Sequence, residues 1–158
     1  MKPSTIKVRV RYPETDKMGV VHHSNYFIYF EMGRIEYLRS LGLPYAQLEA
    51  EDIYLAVLEA HCKYKAPARY DDLLVVETSL SRLTYAQVEF SYKIWREEAR
   101  PGGKAPGYSK GTLQRAPTPP LTLLVEGSTT LVCLDKYFKP RRIPDKIRNI
   151  LPIEVTET

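Results

Sequence analysis

Residues 14–26 read ETDKMGVVHHSNY, placing an acid, a glycine and two adjacent histidines just ahead of the longest helix-like stretch. His22 and His23 invite a metal or a catalytic triad, but adjacent side chains seldom point at one ligand and no third ligand stands at a recognisable spacing. A serine triad needs its nucleophile on a strained elbow, and no G-x-S-x-G occurs. Phosphate loops of the G-x-x-x-x-G-K-[ST] or G-x-G-x-x-G type are also missing, which removes the main support for nucleotide hydrolysis or Rossmann redox chemistry. Asp16 is then the strong candidate base. A helix N-terminus beside it presents unpaired N–H groups and partial positive charge, suited to a carboxylate, a phosphate or a developing oxyanion. Gly19 permits a left-handed turn that lets the chain double back toward those donors. A base or nucleophile facing oxyanion donors is what acyl-transfer chemistry requires. An Asx-type turn at Thr15-Asp16 is the other reading of the same residues.

The elements that must hold this stretch follow from periodicity. Ile6, Val8, Val10 and Tyr12 alternate with Lys7, Arg9 and Arg11, a half-buried strand closed by Pro13. Residues 26–41 run without proline and carry Phe27, Phe30, Ile35, Leu38 and Leu41, which predicts the one long helix. Ser24 and Asn25 sit where side-chain oxygens can cap its first turn, and Gly42 with Pro44 stops it. Gly33 inside the helix costs roughly 1 kcal/mol relative to alanine, and apolar residues nearly surround the middle; close packing of a buried helix on a sheet accounts for both. After a helical turn at 45–51, the pattern predicts strands at 56–64, 74–80, 86–94 and 121–134. In the first of these Ala56, Leu58, Ala60, Cys62 and Tyr64 face inward and Glu59, His61 and Lys63 outward. One strand, one long helix and four further strands predict an α+β fold with an antiparallel sheet.

The 158 residues, 44% hydrophobic, suffice for one domain spanning 1–158. No stretch approaches a membrane span and the amino terminus lacks the apolar run of a secretory signal, so a cytoplasmic protein is expected. Cys62 and Cys133 fall in apolar runs and read as reduced, buried thiols. A net charge of +4 favours acidic or phosphorylated partners without requiring nucleic acid. Residues 97–120 hold four of the eight glycines and five of the twelve prolines. They read as a mobile insertion, with Lys104, Lys110 and Arg115 on it.

The segments RYPETDKMGVVHHSNYFIYFEMGRIEYLRSLGLP, YKAPARYDDLLVVET and EGSTTLVCLD resemble the hotdog-fold acyl-CoA thioesterases of the 4-hydroxybenzoyl-CoA thioesterase family. The likeness is greatest to the bacterial branch containing the Tol-Pal-associated acyl-CoA thioesterase. It covers residues 5 to about 96 and 121 to about 145, with D-x-x-G-V-V-x-H-x-N-Y as its most specific part, and departs at 97–120. It implies an antiparallel five-stranded sheet wrapped around one long central helix, paired into dimers or tetramers with active sites at subunit interfaces. It also implies Asp16 as nucleophile or general base and the backbone N–H of His23 as the group that polarises the carbonyl. The substrate carbonyl would then sit near Val21, His22 and His23, with Gly19, Asn25 and Tyr26 shaping the turn and the acyl pocket. Glu31 matches the position where other hotdog branches carry their acid.

The substrate implied is an acyl-CoA, with no separate cofactor, no metal and no nucleic-acid partner. Its phosphates would suit the basic turn KYFKPRRIPDK through Lys139, Arg141 and Arg142, and Lys63, Lys65 and Arg69 are further candidates. A hotdog dehydratase acting on a hydroxyacyl thioester and a non-catalytic acyl-CoA-binding module are the alternatives at this point. The dehydratase would need a histidine paired with an acid.

Overall fold

The computed structural model describes residues 3–98 and 120–151. Five antiparallel strands form one sheet in the order β1-β3-β4-β5-β2. They are β1 (Ser4–Arg9), β2 (Tyr54–Tyr64), β3 (Leu73–Leu83), β4 (Gln87–Glu97) and β5 (Leu121–Leu134). The long helix α1 (Asn25–Ser40) lies against the sheet, followed by the short α2 (Tyr45–Ala50); α3 (Asp145–Arg148) comes after the last strand. This is the α+β arrangement expected. Among the described residues no helix is long and apolar enough to cross a membrane.

The core is the seam between α1 and the concave face of the sheet. Alternation in the central strands buries Leu74, Val76, Thr78 and Leu80 of β3 and Val88, Phe90, Tyr92 and Ile94 of β4. In β5 the pairing register slips opposite Ile94 and Trp95, which is why consecutive Leu124 and Val125 are both buried. From α1 come Tyr26, Tyr29, Phe30, Gly33, Arg34, Tyr37 and Leu38. Two glycines set how closely helix and sheet approach. A Cβ on Gly33 would meet Thr78 Oγ1 and lie 3.0 Å from Val76 Cγ1. One on Gly127 would lie 2.5 Å from both Phe30 Cζ and the His61 carbonyl oxygen. Phe30 occupies that space and stacks on Tyr92 at 4.4 Å between centroids.

Three local expectations are corrected. β1 ends at Arg9: Val10 bonds Asp72 and Asp71 through the backbone, and Tyr12–Glu14 form a 3₁₀ turn around Pro13. Tyr12, placed inward by alternation, is therefore 75% exposed and meets Tyr70 edge-on. Ser24 and Asn25 flank the start of α1 but do not cap it with side-chain oxygens. Ser24 Oγ pairs with His22 Nδ1 at 2.8 Å, and Asn25 Nδ2 donates to the Glu14 carbonyl at 2.9 Å. In β2 the inward face expected at Ala56, Leu58, Ala60, Cys62 and Tyr64 is not a buried face. The strand is an edge, its register shifts between Val57 and Glu59, and only Leu55 in it is buried. Cys133 is buried and Cys62 half-buried, both as free thiols. Of the insertion expected at 97–120, Glu97 belongs to β4 and Glu98 donates its N–H to the Pro120 carbonyl; residues 99–119, with Lys104, Lys110 and Arg115, lie outside the described residues.

Gly33→Ala is expected to lower stability by about 1–3 kcal/mol, because the added methyl overpacks the α1–β3 contact. Urea unfolding should show a lower midpoint with an unchanged m-value.

Candidate active site

The segment from Glu14 to His23 is a short loop folded on itself. Thr15 and Val21 form an isolated antiparallel bridge, with the Asp16 N–H donating to Val20 O and the His22 N–H to Glu14 O, both at 2.9 Å. Gly19 closes the tip with φ +75°, the left-handed conformation its sequence position predicts. Its N–H donates to the Asp16 carbonyl at 2.9 Å. The Val21 N–H reaches Ala68 O at 2.8 Å and ties the loop to the segment after β2.

Glu14 anchors this loop. Sequence reasoning passed over it, because an acid beside a turn looks like solvent-facing charge. It is 5% exposed, and its carboxylate accepts from the Arg11 N–H at 2.7 Å, from Arg11 Nε and Nη2, and from the Tyr29 hydroxyl at 2.9 Å. Burial pushes its carboxyl up, yet the bonds from the Arg11 backbone, the Arg11 guanidinium and Tyr29 together hold it below the ordinary carboxylate value. Its carbonyl meanwhile accepts from both the His22 N–H and Asn25 Nδ2. One residue thus fixes the loop's two ends and the first residue of α1.

A cavity of about 320 Å³ opens where this loop meets α1 and the end of β2. Its wall includes Asp16, Val21, His23 and Tyr26 as expected, joined by Met18, Val20, Tyr64, Lys65, Ala66 and Pro67. Half-buried Asp16 uses Oδ1 to accept the Met18 N–H at 2.8 Å, so the Asx-type turn is present and leaves its second oxygen free of that bond. From Val21 to Phe27, every backbone N–H has an acceptor among the described residues except that of His23. The His23 carbonyl, by contrast, accepts from the Tyr64 hydroxyl at 3.0 Å and from the Tyr26 N–H at 3.4 Å. Burial above all raises the Tyr64 and Tyr26 hydroxyls beyond the usual phenol value, so both stay neutral and Tyr64 remains a donor.

The imidazoles take no part in this arrangement. His22 is held by Ser24, and its ring lies 4.2 Å from that of His23, which meets Tyr64 edge-on. Neither has an acid partner among the described residues, and these contain no cluster of three or more His, Cys, Asp or Glu able to hold a metal. Gly19 and Asn25 shape the loop without lining the cavity. Arg69 borders the Gly19 turn, its Nη1 3.8 Å from where a Cβ would stand. Lys65 lines the cavity and pairs with Glu126. Exposed Lys63 precedes it on β2 without reaching the wall. Arg141 and Arg142 are not near it within one chain: Arg141 N–H bonds Cys133 O at the far end of β5, and Arg142 pairs with Asp145 at 2.6 Å.

Residues 18–102 match the sequence model of the thioesterase superfamily, more than half of the chain. The chain belongs to that superfamily. It is 31% identical to the acyl-CoA thioester hydrolase YbgC of Escherichia coli over 141 residues, 89% of each chain. In solved structures it is similar to a hypothetical protein of Aquifex aeolicus at 31% identity (TM-score 0.77), covering 94% of this chain and 99% of that one. It is also similar to the DHNA-CoA thioesterase of Staphylococcus aureus at 28% identity (TM-score 0.76), covering 99% of both. The sheet wrapped around α1 is the hotdog fold of these superfamily members.

Glu14→Gln keeps the shape and removes the charge that gathers Arg11 and Tyr29. It is expected to cost about 1–3 kcal/mol of stability. In the wild-type protein the contribution of this depressed carboxyl is present above the unfolded-state value of about 4.3 and lost as pH falls through the lower folded-state value. Stability of wild type and variant should therefore converge in that acid range, which denaturant titrations from pH 6 downward will show.

Proposed function

We propose that the protein hydrolyses acyl-CoA thioesters to a free carboxylic acid and CoA. The observation that carries this reading is that Asp16 and His23 line one cavity and that the His23 N–H has no acceptor among the described residues. The thioester carbonyl oxygen lies against the His23 N–H, beside the N-terminus of α1, where developing negative charge is favoured. Asp16 acts in one of two ways. As general base it takes a proton from water, the hydroxide adds to the carbonyl carbon, and the collapsing intermediate expels the CoA thiolate, which recovers the proton. As nucleophile it displaces the CoA thiolate from the carbonyl carbon to form a mixed anhydride, which water then opens to return the Asp16 carboxylate and the free acid, the thiolate taking up the proton released. Either route needs no cofactor, since CoA is part of the substrate. Dehydration is disfavoured because neither loop histidine has the acid partner that chemistry needs.

The edge strand β2 supports assembly. Val57 and Leu58 are each 54% exposed on an 11-residue edge with unpaired backbone groups, a template for pairing with a second copy. Antiparallel pairing of β2 with its own copy about a two-fold axis sets the Tyr54 end of one strand beside the Tyr64 end of the other. That carries the Arg141–Arg142 turn of one protomer toward the cavity of its partner, where it joins Lys63, Lys65 and Arg69 around the CoA phosphates. Further pairing of such dimers gives the tetramer that the resemblance implies.

Asp16→Asn is expected to lower turnover at least about 100-fold, as loss of a central catalytic group does, whereas His23→Ala keeps most activity because its N–H survives. Release of CoA, followed with a thiol-reactive dye, checks both; an Asp16→Asn enzyme of near wild-type rate sinks the assignment. Leu58→Lys should shift the sedimentation profile toward monomer. Arg141→Ala/Arg142→Ala should raise KM and flatten its salt dependence with kcat little changed, and an unchanged KM would remove that turn from the substrate site.

A further inference from the structure

Arg34 stands on the flank of α1 that starts at the candidate active site, and the proposed hydrolysis leaves it unused. It is 4% exposed, and its Nε has no hydrogen-bond partner among the described residues. Glu31 Oε1 lies 3.8 Å from Nη2, beyond hydrogen-bond reach, on a side chain that is 58% exposed. The Tyr92 hydroxyl, which pairs with Thr129 Oγ1 at 2.7 Å, is within hydrogen-bond reach of the guanidinium and is the one protein acceptor it meets among the described residues, leaving Nε without a partner. An arginine cannot shed its charge, and a buried guanidinium short of acceptors is costly.

The guanidinium is not sealed in. It borders a second cavity, of about 220 Å³, with Phe27, Ile28, Glu31, Val57 and Ala60. Phe27, Glu31 and Arg34 follow one another on α1 at helical spacings of four and three and so share a flank, and His23 lies two residues ahead of the helix. Opposite them runs β2 in the reverse sense, with Tyr64 against His23 and then Ala60 and Val57 against Phe27 to Arg34. The two cavities thus follow one another along the α1–β2 seam, the first lined by His23, Tyr26 and Tyr64 and the second by Phe27, Ile28, Arg34, Val57 and Ala60. From Asn25, the first residue of α1, to Arg34 the helix rises roughly 14 Å, and a side chain on a helix leans back toward its N-terminus, which shortens the path.

We propose that Arg34 receives the far end of the acyl group, and that the enzyme favours acyl-CoAs whose acyl chain ends in a carboxylate. This rests on the thioesterase reading above. Arg34 offers donors only, in a fork that matches a carboxylate in two parallel bonds. Phe27, Ile28, Val57 and Ala60 supply an apolar sleeve for the chain that carries it. Glu31, mostly in water, turns outward when the anion enters.

The test compares acyl-CoAs of matched length ending in methyl or in carboxylate, across several lengths, with the wild-type protein and the variants Arg34→Gln, Arg34→Lys and Glu31→Gln. At the fitting length the wild type should favour the carboxylate by roughly tenfold or more in kcat/KM, the scale of a charge-assisted contact. Arg34→Gln should erase that preference while methyl-ended substrates are still hydrolysed, Arg34→Lys should retain part of it, and Glu31→Gln should enlarge it. Calorimetric binding of the same pairs to the Asp16→Asn protein reads the preference without turnover. Absence of hydrolysis by the wild type would count against the thioesterase reading, while the binding preference still decides the role of Arg34. Equal values for each pair, a preference that survives Arg34→Gln, or a variant that alters only the association state would each overturn the proposal.

Discussion

The doubling-back of the 14–23 loop onto the start of α1 is the constraint on which the site depends. Two backbone bonds, His22 N–H to Glu14 O and Asp16 N–H to Val20 O, make the loop a miniature hairpin, and Gly19 at φ +75° lets it turn. Without that return Asp16 would lie seven residues from His23 along an extended chain, well outside contact range. The return is held by a buried carboxylate, an uncommon choice, since an ionised acid out of water is costly unless fully bonded. Glu14 meets the condition: four donors converge on its two oxygens and two more on its carbonyl. Tyr29 supplies one of them from the second turn of α1, so loop and helix are one rigid unit.

That unit is only as well placed as the helix is on the sheet. Gly33 and Gly127 remove side chains where α1 presses on β3 and β5, and Phe30 takes up the space over Gly127. A helix set a fraction of an ångström higher would pull the His23 carbonyl away from Tyr64 on β2, which holds it. The stability cost of an interior glycine thus returns as precision at the helix N-terminus, which electrostatic stabilisation of an oxyanion requires.

Much of this was legible in the sequence, and the gaps have physical causes. The helix, β5 and the Gly19 turn could be read from periodicity and backbone preference, whereas Asp16 and His23 were brought together only by the family resemblance, and both line one cavity. β2 was read as half-buried because alternation tells which residues share a face, not whether anything covers it. Its open faces are a property of sheet order, with β2 at the edge, and sheet order is not written in local pattern. Glu14 was invisible for a related reason. Its burial comes from Arg11, Tyr29 and Asn25 closing on it in space, and only the first of these is near in sequence. Tyr64 ended a strand in the sequence reading; only the folded chain brings its hydroxyl to the His23 carbonyl.

The same comparison explains where the structure departs from full hydrogen-bond satisfaction. Folded proteins leave few polar groups without partners, and each of those few has its own physical cause, as Thr78 Oγ1 does where it is closed in against Gly33. Among the described residues two N–H donors stand out, that of the His23 backbone two residues ahead of α1 and Arg34 Nε in the third turn of the helix. Both are fixed from behind, the first by the Tyr64 bond to its carbonyl, the second by burial against the Tyr92–Thr129 pair. Donors so fixed do not reorganise when an acceptor arrives, and the cost of leaving them unpaired falls on the empty protein rather than on the complex. The proposed acyl site, with a rigid donor at each end, would measure a ligand as well as hold it. Its length is set by the rise of the helix, and its apolar middle by the residues that alternate between α1 and the open edge of β2.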